Sequence, residues 1–182
     1  MLIAQLSAPH VRPDRALYQA LIDSNAMFSA AIRHLNSLSP PPDVVISSGD
    51  VTEEGTAEEY AVARRALARI KQPLLVIPGN HDDREAFRLC FSDMDYLPNT
   101  GPLHFVASNL GLLRIVGLDV TLPGLHHGDI TDEAAEWLST ILSDDADRPT
   151  ILMMHQPPFR TGIQLLDGYR CFRDEKLKEI IS

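Results

Sequence analysis

The chain has 182 residues, of which 45% are hydrophobic and 23% are charged, and its formal net charge at pH 7 is -9. This length and composition fit one soluble globular domain with a sizeable core. The negative charge argues against a protein that binds nucleic acid or anionic membranes non-specifically. No basic segment followed by a long apolar run stands at the N-terminus, so neither a signal peptide nor a membrane span is expected. Cys90 and Cys171 lie far apart and outside any paired motif, which predicts reduced thiols and a cytoplasmic location.

The first half of the sequence alternates strand and helix patterns. The apolar run LIAQLS predicts a strand, and apolar residues at helical spacing then predict a helix from Tyr18 to Leu38, stopped by prolines at 40–42. DVVISSGD predicts a second strand. Thr56 and Glu59 have the form of a capping box that opens a helix through Ile70, and PLLVIPGNHD predicts a third strand with its loop. This order predicts right-handed crossovers and a parallel sheet covered by helices on both faces.

The second half predicts further strands and two helices. LHFVASN and LLRIVGLD predict a strand pair that turns near Leu110 and Gly111, and Thr131 is expected to cap a helix through Leu142. TILMMHQPP predicts a buried strand that ends in a histidine, and a last helix is predicted from Asp174 to Ile181. We expect residues 1–182 to form a single domain that is C-terminally incomplete, because no terminal element follows to close the sheet.

Polar residues follow four of the predicted strands, in the segments SAPH, SSGD, PGNHD and MMHQPP. In open α/β sheets, ligands bind beyond the carboxyl ends of the parallel strands. Imidazole, carboxylate and amide donors together suit divalent ions such as Mn, Fe, Co and Zn. Each segment alone is typical of an ordinary loop, but their repetition at successive strand ends predicts one metal site. The candidate residues are His10, Asp50, Asn80, His81, Asp82 and His155.

The remaining histidines do not share this placement. His34 falls within a predicted helix, His104 opens a predicted strand, and His126 and His127 fall in a loop. Structural or solvent roles are favoured for all four. His127, next to a glycine, is kept as a weaker candidate for contact with a substrate.

The ordered motifs resemble those of the calcineurin-like metallophosphoesterases. That family's pattern is Asp-x-His, Gly-Asp, Gly-Asn-His-Asp or Glu, a lone His, and Gly-His-x-His. The second element matches Gly49-Asp50, the third matches residues 79–82, and the fourth matches His155. The segments VVISSGD, EEYAVARRAL and LLVIPGNHD are most similar to bacterial class III cyclic-nucleotide phosphodiesterases and glycerophosphodiesterases. The resemblance implies a layered α/β/β/α sandwich.

The resemblance also implies residue roles. Asp50 would bridge two metal ions, His10 would serve one of them, and Asn80 and His155 would serve the other. Asn80 and His81 would be catalytic, with His81 contacting the phosphate or protonating the leaving oxygen. The implied reaction is hydrolysis of a small phosphodiester, such as cAMP or a glycerophosphodiester, at a two-metal centre that lowers the pKa of water.

The sequence departs from the family pattern at two points. Ala8 stands where the family has a metal-binding aspartate, and the Gly-His-x-His motif is absent from the chain. We therefore expect at most one tightly held ion and impaired hydrolysis. An alternative is a catalytically dead phosphoester-binding or regulatory module, and a structural domain without a site is a third interpretation. The expected partners are a small phosphodiester and, because a sheet edge would be exposed, further copies of the chain.

Overall fold

The computed structural model describes all residues from Met1 to Ser182. The helices and strands follow one another along the chain in the order β1 (Ile3–Leu6), α1 (Ser24–Ser37), β2 (Val44–Ser48), α2 (Ala57–Leu67), β3 (Leu74–Ile77), α3 (Arg84–Cys90), β4 (Phe105–Leu110), β5 (Leu113–Gly117), β6 (Gly128–Asp129), α4 (Asp132–Asp144), β7 (Thr150–Met153), α5 (Gln164–Gly168), β8 (Cys171–Phe172) and α6 (Asp174–Ile181). No helix is both long enough and apolar enough to cross a membrane.

The first sheet holds β1, β2 and β3 in that order, all parallel, as the alternating pattern predicts. Its outer face packs against α1, α2 and α3 through a buried cluster that includes Phe28, Tyr60, Val76 and Phe87. The prediction of helices on both faces is wrong, because the inner face packs against a second sheet. A strand buried on both faces has a continuous apolar sequence whether helices or strands cover it, so the pattern alone does not separate the two.

The second sheet has the order β4-β5-β7. β4 and β5 form the predicted antiparallel pair, and β5 pairs in parallel with β7. A seam of buried side chains joins the two sheets and includes Val44, Ile77, Phe105, Ile115 and Met153. A further cluster packs α4 and α6 against the outer face of the second sheet. The layers are therefore helix, sheet, sheet and helix, as the resemblance implies, and the short pair β6-β8 lies apart from both sheets.

Helix boundaries follow capping side chains. The Thr56 capping box is present as predicted, although α2 ends at Leu67 and not at Ile70. The prediction that the first helix starts at Tyr18 is wrong, because Asp23 caps α1 by accepting the Ala26 N–H at 2.8 Å. A helix begins where a side chain can satisfy its first amide hydrogens, and apolar spacing before that point does not extend it.

Candidate metal centre

The predicted site residues come from loops at the ends of both sheets. His10 follows β1, Asp50 follows β2, and Asn80 and His81 follow β3, so the first sheet supplies three of the four loops. His155 follows β7 of the second sheet. Parallel strands end at one edge of a sheet, and stacking of the two sheets brings the fourth loop to the same edge.

Asp50 is the centre of the arrangement. It is only 6% exposed, its φ is +50°, and its Oδ1 accepts a hydrogen bond from the His81 N–H at 3.0 Å. Its Oδ2 lies 3.1 Å from Nε2 of His155 and 3.7 Å from Nε2 of His10. One carboxylate oxygen therefore faces two imidazole nitrogens that come from different sheets.

Two glycines make this close approach feasible. Gly49 has a φ of +97°, and a Cβ atom there would overlap Nδ1 of His155. A Cβ atom on Gly79 would overlap both Oδ1 and the backbone nitrogen of Asp50. Any side chain at either position would therefore push the Asp50 and His155 donors apart.

Hydrogen bonds orient the remaining donors. Nδ1 of His155 lies 2.8 Å from the Ser48 carbonyl oxygen, and Nδ1 of His81 lies 2.8 Å from that of Glu53. A carbonyl oxygen only accepts, so each Nδ1 carries the hydrogen and each Nε2 is available to a ligand. Asn80 donates from Nδ2 to Nδ1 of His126 at 3.2 Å, which leaves its Oδ1 available as well. Histidines held in this way are typical of metal sites.

The electrostatics of Asp50 and His155 are coupled. Burial raises the pKa of Asp50, but the hydrogen bond and positive charge of His155, together with the hydrogen bond from the His81 N–H, outweigh it, and the net pKa lies below the usual value. Burial lowers the pKa of His155, but the hydrogen bond and negative charge of Asp50, together with the Ser48 carbonyl, outweigh it, and the net pKa lies above the usual value. Asp50 and protonated His155 would form a buried ion pair, and a divalent cation would take the place of the imidazole proton.

A second acidic residue, Glu53, belongs to this region and was missed from the sequence. Its Oε2 lies 2.7 Å from Nδ1 of His10 and 3.5 Å from Nδ1 of His81. Donor atoms of these three residues lie within 4.8 Å of one another, as in a possible metal-binding group. Nothing in the sequence separates Glu53 from its neighbour Glu54, whose carboxylate instead pairs with Arg12 at 2.7 Å.

Asp82 was a candidate for the same site, but its carboxylate is hydrogen-bonded to the backbone of the site loops. It accepts hydrogen bonds from the Gly79, Val51 and Thr52 N–H groups and from the Thr52 and Tyr60 hydroxyls, at 2.9–3.1 Å. Burial raises its pKa, against the effect of these hydrogen bonds. With both oxygens occupied, Asp82 ties the loop after β3 to the loop after β2.

The side chain at position 8 offers no atom that could bind a metal ion. Ala8 is exposed, has a φ of +48°, and donates its N–H to the Gly49 carbonyl at 3.1 Å. This backbone bond holds the segment before His10 alongside the loop that carries Asp50. Position 8 is thus close to the site in the chain but contributes only a methyl group.

The other four histidines lie in different surroundings. His126 bonds to Asn80, and its ring lies 5.9 Å from that of His81, so a purely solvent role does not describe its position. His127, the weaker substrate candidate, instead packs edge-on against Phe172 at 4.9 Å. The structure places His34 exposed in the last turn of α1 and stacks His104 on Trp137 at 4.8 Å.

The residues fit a divalent cation on two observations. Two imidazole nitrogens face Oδ2 of Asp50, and this set of nitrogen and oxygen donors suits borderline or hard divalent ions. In addition, His10 Nδ1 and Glu53 Oε2 are shielded from water without an aligned hydrogen bond, although they lie 2.7 Å apart. The carboxylates of Asp50 and Glu53 both lie beside the imidazole of His10, and a cation bound at Asp50 would offset part of their negative charge.

Comparison with curated proteins gives phosphodiesterases. The chain is 33% identical over 167 residues to a probable glycerophosphodiester phosphodiesterase, GpdQ, of Arcobacter nitrofigilis, covering 92% of this chain and 61% of that protein. It is 34% identical over 190 residues to the GpdQ of Enterobacter lignolyticus, covering 100% of this chain and 66% of that protein. A 3',5'-cyclic adenosine monophosphate phosphodiesterase, CpdA, of Escherichia coli K12 is 25% identical, with coverage of 99% and 64%. The chain thus spans less than two thirds of the length of each relative.

A solved structure and a family model agree with these relatives. The structure of PhoD superposes with a TM-score of 0.53 at 14% identity, covering 98% of this chain and 47% of that one, which supports the fold alone. The family model for calcineurin-like phosphoesterases matches residues 1–180. Members of this family use divalent metal ions, and the relatives are phosphodiesterase hydrolases. The match extends over almost the whole chain, which therefore belongs to the calcineurin-like phosphoesterase family.

Proposed function

We propose that this protein is a metal-dependent phosphodiesterase that hydrolyses small phosphodiesters, either cyclic nucleotides or glycerophosphodiesters. The observation that carries the proposal is the convergence of His10 Nε2 and His155 Nε2 on one oxygen of Asp50. The substrate class follows from the names of the GpdQ and CpdA relatives.

In this proposal Asp50, Asn80 and His155 would hold one divalent ion, and Asp50 with His10 would hold another. Bound divalent ions would supply positive charge against the phosphodiester and lower the pKa of water. Asn80 Oδ1 is available for coordination because the amide nitrogen is held by His126. His81 Nε2 is available to contact the phosphate or to donate a proton to the leaving oxygen, because Nδ1 is held by the Glu53 carbonyl.

Ala8 limits the His10 side of the site, which is left with His10 and a share of Asp50. We therefore propose that the chain retains at most one divalent ion tightly, at the side of Asp50, Asn80 and His155. Elemental analysis after dialysis measures the ratio of metal to protein directly. Two retained ions per chain would contradict this part of the proposal.

The function is tested by hydrolysis of bis(4-nitrophenyl) phosphate by the purified chain, supplemented in turn with Mn²⁺, Co²⁺ and Zn²⁺. We expect slow, metal-dependent release of nitrophenol that is lost in Asp50→Asn and retained in Asp83→Asn. Asp83 is a suitable control because it lies beside the site loop but only caps α3. The absence of turnover with every ion, in protein shown to bind metal, would refute the enzyme assignment.

A second candidate function is a catalytically dead phosphoester-binding or regulatory module. The exposed methyl group of Ala8, which offers no metal ligand beside His10, is the observation that favours it. Calorimetric binding of a phosphodiester to the metal-loaded chain without turnover would support this alternative. Hydrolysis abolished by Asp50→Asn would exclude it.

We also propose a single domain over residues 1–182 that associates into homo-oligomers. The family match over residues 1–180 supports the first point. Large apolar side chains that are almost fully exposed support the second, with Leu21 at 82% and Leu112 at 87%. A sharp monomer peak in light scattering at high concentration would contradict the association.

A cytoplasmic location is proposed from the two cysteines. Both thiols are free, and burial raises the pKa of Cys90 to about 11 and that of Cys171 to about 12. Thiols of this kind are chemically inert and suit a reducing compartment. Detection of the protein in a secreted or periplasmic fraction of the native cells would overturn this proposal.

A further inference from the structure

The imidazole of His10 lies between two carboxylates. Its Nε2 faces Oδ2 of Asp50 at 3.7 Å, and its Nδ1 faces Oε2 of Glu53 at 2.7 Å. One face of the ring stacks on Tyr18, with centroids 4.8 Å apart and planes at 29°. Ring plane and ring direction are thus set by separate neighbours, and Glu53 contacts the nitrogen that does not face Asp50.

The distance between Glu53 and His10 determines where the ring hydrogen lies. A carboxylate oxygen and an unprotonated nitrogen repel each other at this separation, so the contact favours the tautomer that carries its hydrogen on Nδ1. The N–H is not yet aligned with the oxygen, and both atoms are shielded from water without a formed hydrogen bond. The hydrogen on Nδ1 then leaves a lone pair on Nε2, on the side of Asp50.

Two contacts argue against Glu53 as a direct metal ligand. Nδ1 of His81 already donates to the Glu53 carbonyl at 2.8 Å, so it offers no lone pair to an ion between these residues. If His10 bound an ion through Nδ1, its Nε2 would no longer be free for the Asp50 side, because one imidazole presents one lone pair. The group of His10, Glu53 and His81 therefore holds too few free donors to form a site of its own.

We propose that Glu53 is a positioning residue, which fixes the hydrogen on Nδ1 of His10 and thereby keeps Nε2 available for a divalent ion beside Asp50. This inference rests on the proposed function, since it concerns the weaker ion position that the proposal places on the His10 side of Asp50. With no donor atom at Ala8, His10 is the main ligand on its side of Asp50, and its orientation matters correspondingly more. A carboxylate behind a ligating histidine fixes the tautomer and raises its basicity, and its loss typically weakens metal affinity by about 10–100-fold.

The test reads the His10 tautomer without metal and the affinity with metal. Long-range ¹H–¹⁵N NMR at alkaline pH separates the two neutral tautomers, and loss of one ring system in His10→Asn assigns the signals. The main variant is Glu53→Met, which keeps the length of the side chain and removes the acceptor. The matched control is Glu54→Met, because Glu54 is the adjacent acidic residue and is 62% exposed.

We expect the unchanged protein to show the Nδ1–H tautomer of His10 and Glu53→Met to shift it towards Nε2–H. In calorimetry with Mn²⁺ and Zn²⁺, the weaker binding event, on the His10 side of Asp50, should lose about 10–100-fold in affinity in Glu53→Met and be unchanged in Glu54→Met. The metal affinity of Glu53→Asp should lie between those of Glu53→Met and the unchanged protein. Thermal unfolding verifies that each variant is folded.

An unchanged tautomer in Glu53→Met would overturn the inference. If metal binding were lost in the same variant, Glu53 would be a metal ligand instead. If the unchanged protein bound no metal, the proposed function would fail separately, because the tautomer is measured in the metal-free protein.

Discussion

Replacement of Asp82 by asparagine keeps the shape of the side chain but exchanges one acceptor oxygen for an NH₂ group. In the orientation with the lowest cost, the remaining oxygen accepts from the Gly79 and Val51 amides. The Thr52 and Tyr60 hydroxyls can rotate to accept from the new NH₂ group, but the Thr52 N–H is left without an acceptor. One buried unsatisfied donor costs about 1–3 kcal/mol. The remaining hydrogen bonds are also weaker, because asparagine is uncharged. Together we expect these effects to lower the free energy of unfolding by about 2–3 kcal/mol.

Urea unfolding followed by circular dichroism measures this loss, and a thermal melt should show a midpoint lowered by roughly 4–12 °C for a chain of this size. Asp82→Ala leaves all three backbone amides without acceptors and should cost at least about 3 kcal/mol. Asp83→Asn is the control, since asparagine caps a helix about as well as aspartate and should change stability by less than about 0.5 kcal/mol. Asp82→Asn within that same margin of the unchanged protein would refute the role assigned to Asp82.

Three further predictions concern the site and its surroundings. Gly79→Ala forces the Asp50 loop outward and should weaken metal binding by at least about tenfold in calorimetry. Gly168→Ala is the control, because a Cβ atom there meets no neighbouring atom. Equal metal affinities of the two variants would contradict the role of close approach at Gly79. Burial lowers the pKa of His104 below the unfolded value of about 6.5. The unfolded chain is then protonated first as the pH falls, and stability is lost below that pH. His104→Asn, which keeps a hydrogen-bond acceptor, should therefore flatten the loss of stability between about pH 7 and 5 in urea titrations; an unchanged slope would exclude this source. Ala8→Asp returns a carboxylate oxygen and should raise metal affinity while restoring little hydrolysis, and an affinity no higher than that of the unchanged chain would show that position 8 does not reach the ion.

Strands and capped helices were predictable because their signals are local. The Thr56 capping box and the apolar run of β2 depend only on residues near each other in the sequence. Helix α3, capped by Asp83, has the same kind of signal, but it follows the site loop directly and was missed. Helix α5 lacks a side-chain cap and buries no residue, so no local pattern marks it.

The candidate site was predictable as a set of strand ends and not as a set of contacts. Sheet geometry alone brings His10, Asp50 and His81 to one edge. It does not determine which acidic side chain points inward, because that depends on loop dihedral angles. Asp82 was expected at the rim and lies behind it, whereas Glu53 was missed and faces His10.

The origin of His155 in the second sheet makes the site part of the seam between the two sheets. Ser48 and His155 are 107 residues apart in the chain and are joined by a hydrogen bond at 2.8 Å. An ion held by Asp50 and His155 would connect the two sheets. At a concentration one hundred times its Kd, it would raise the free energy of unfolding by about 2.7 kcal/mol. Linkage works equally in reverse, so a loosened seam weakens the hold on the ion. At Gly117, any side chain would overlap the ring of Phe105 and so disturb the packing between the sheets. We expect a substitution there to lower the affinity for the metal ion.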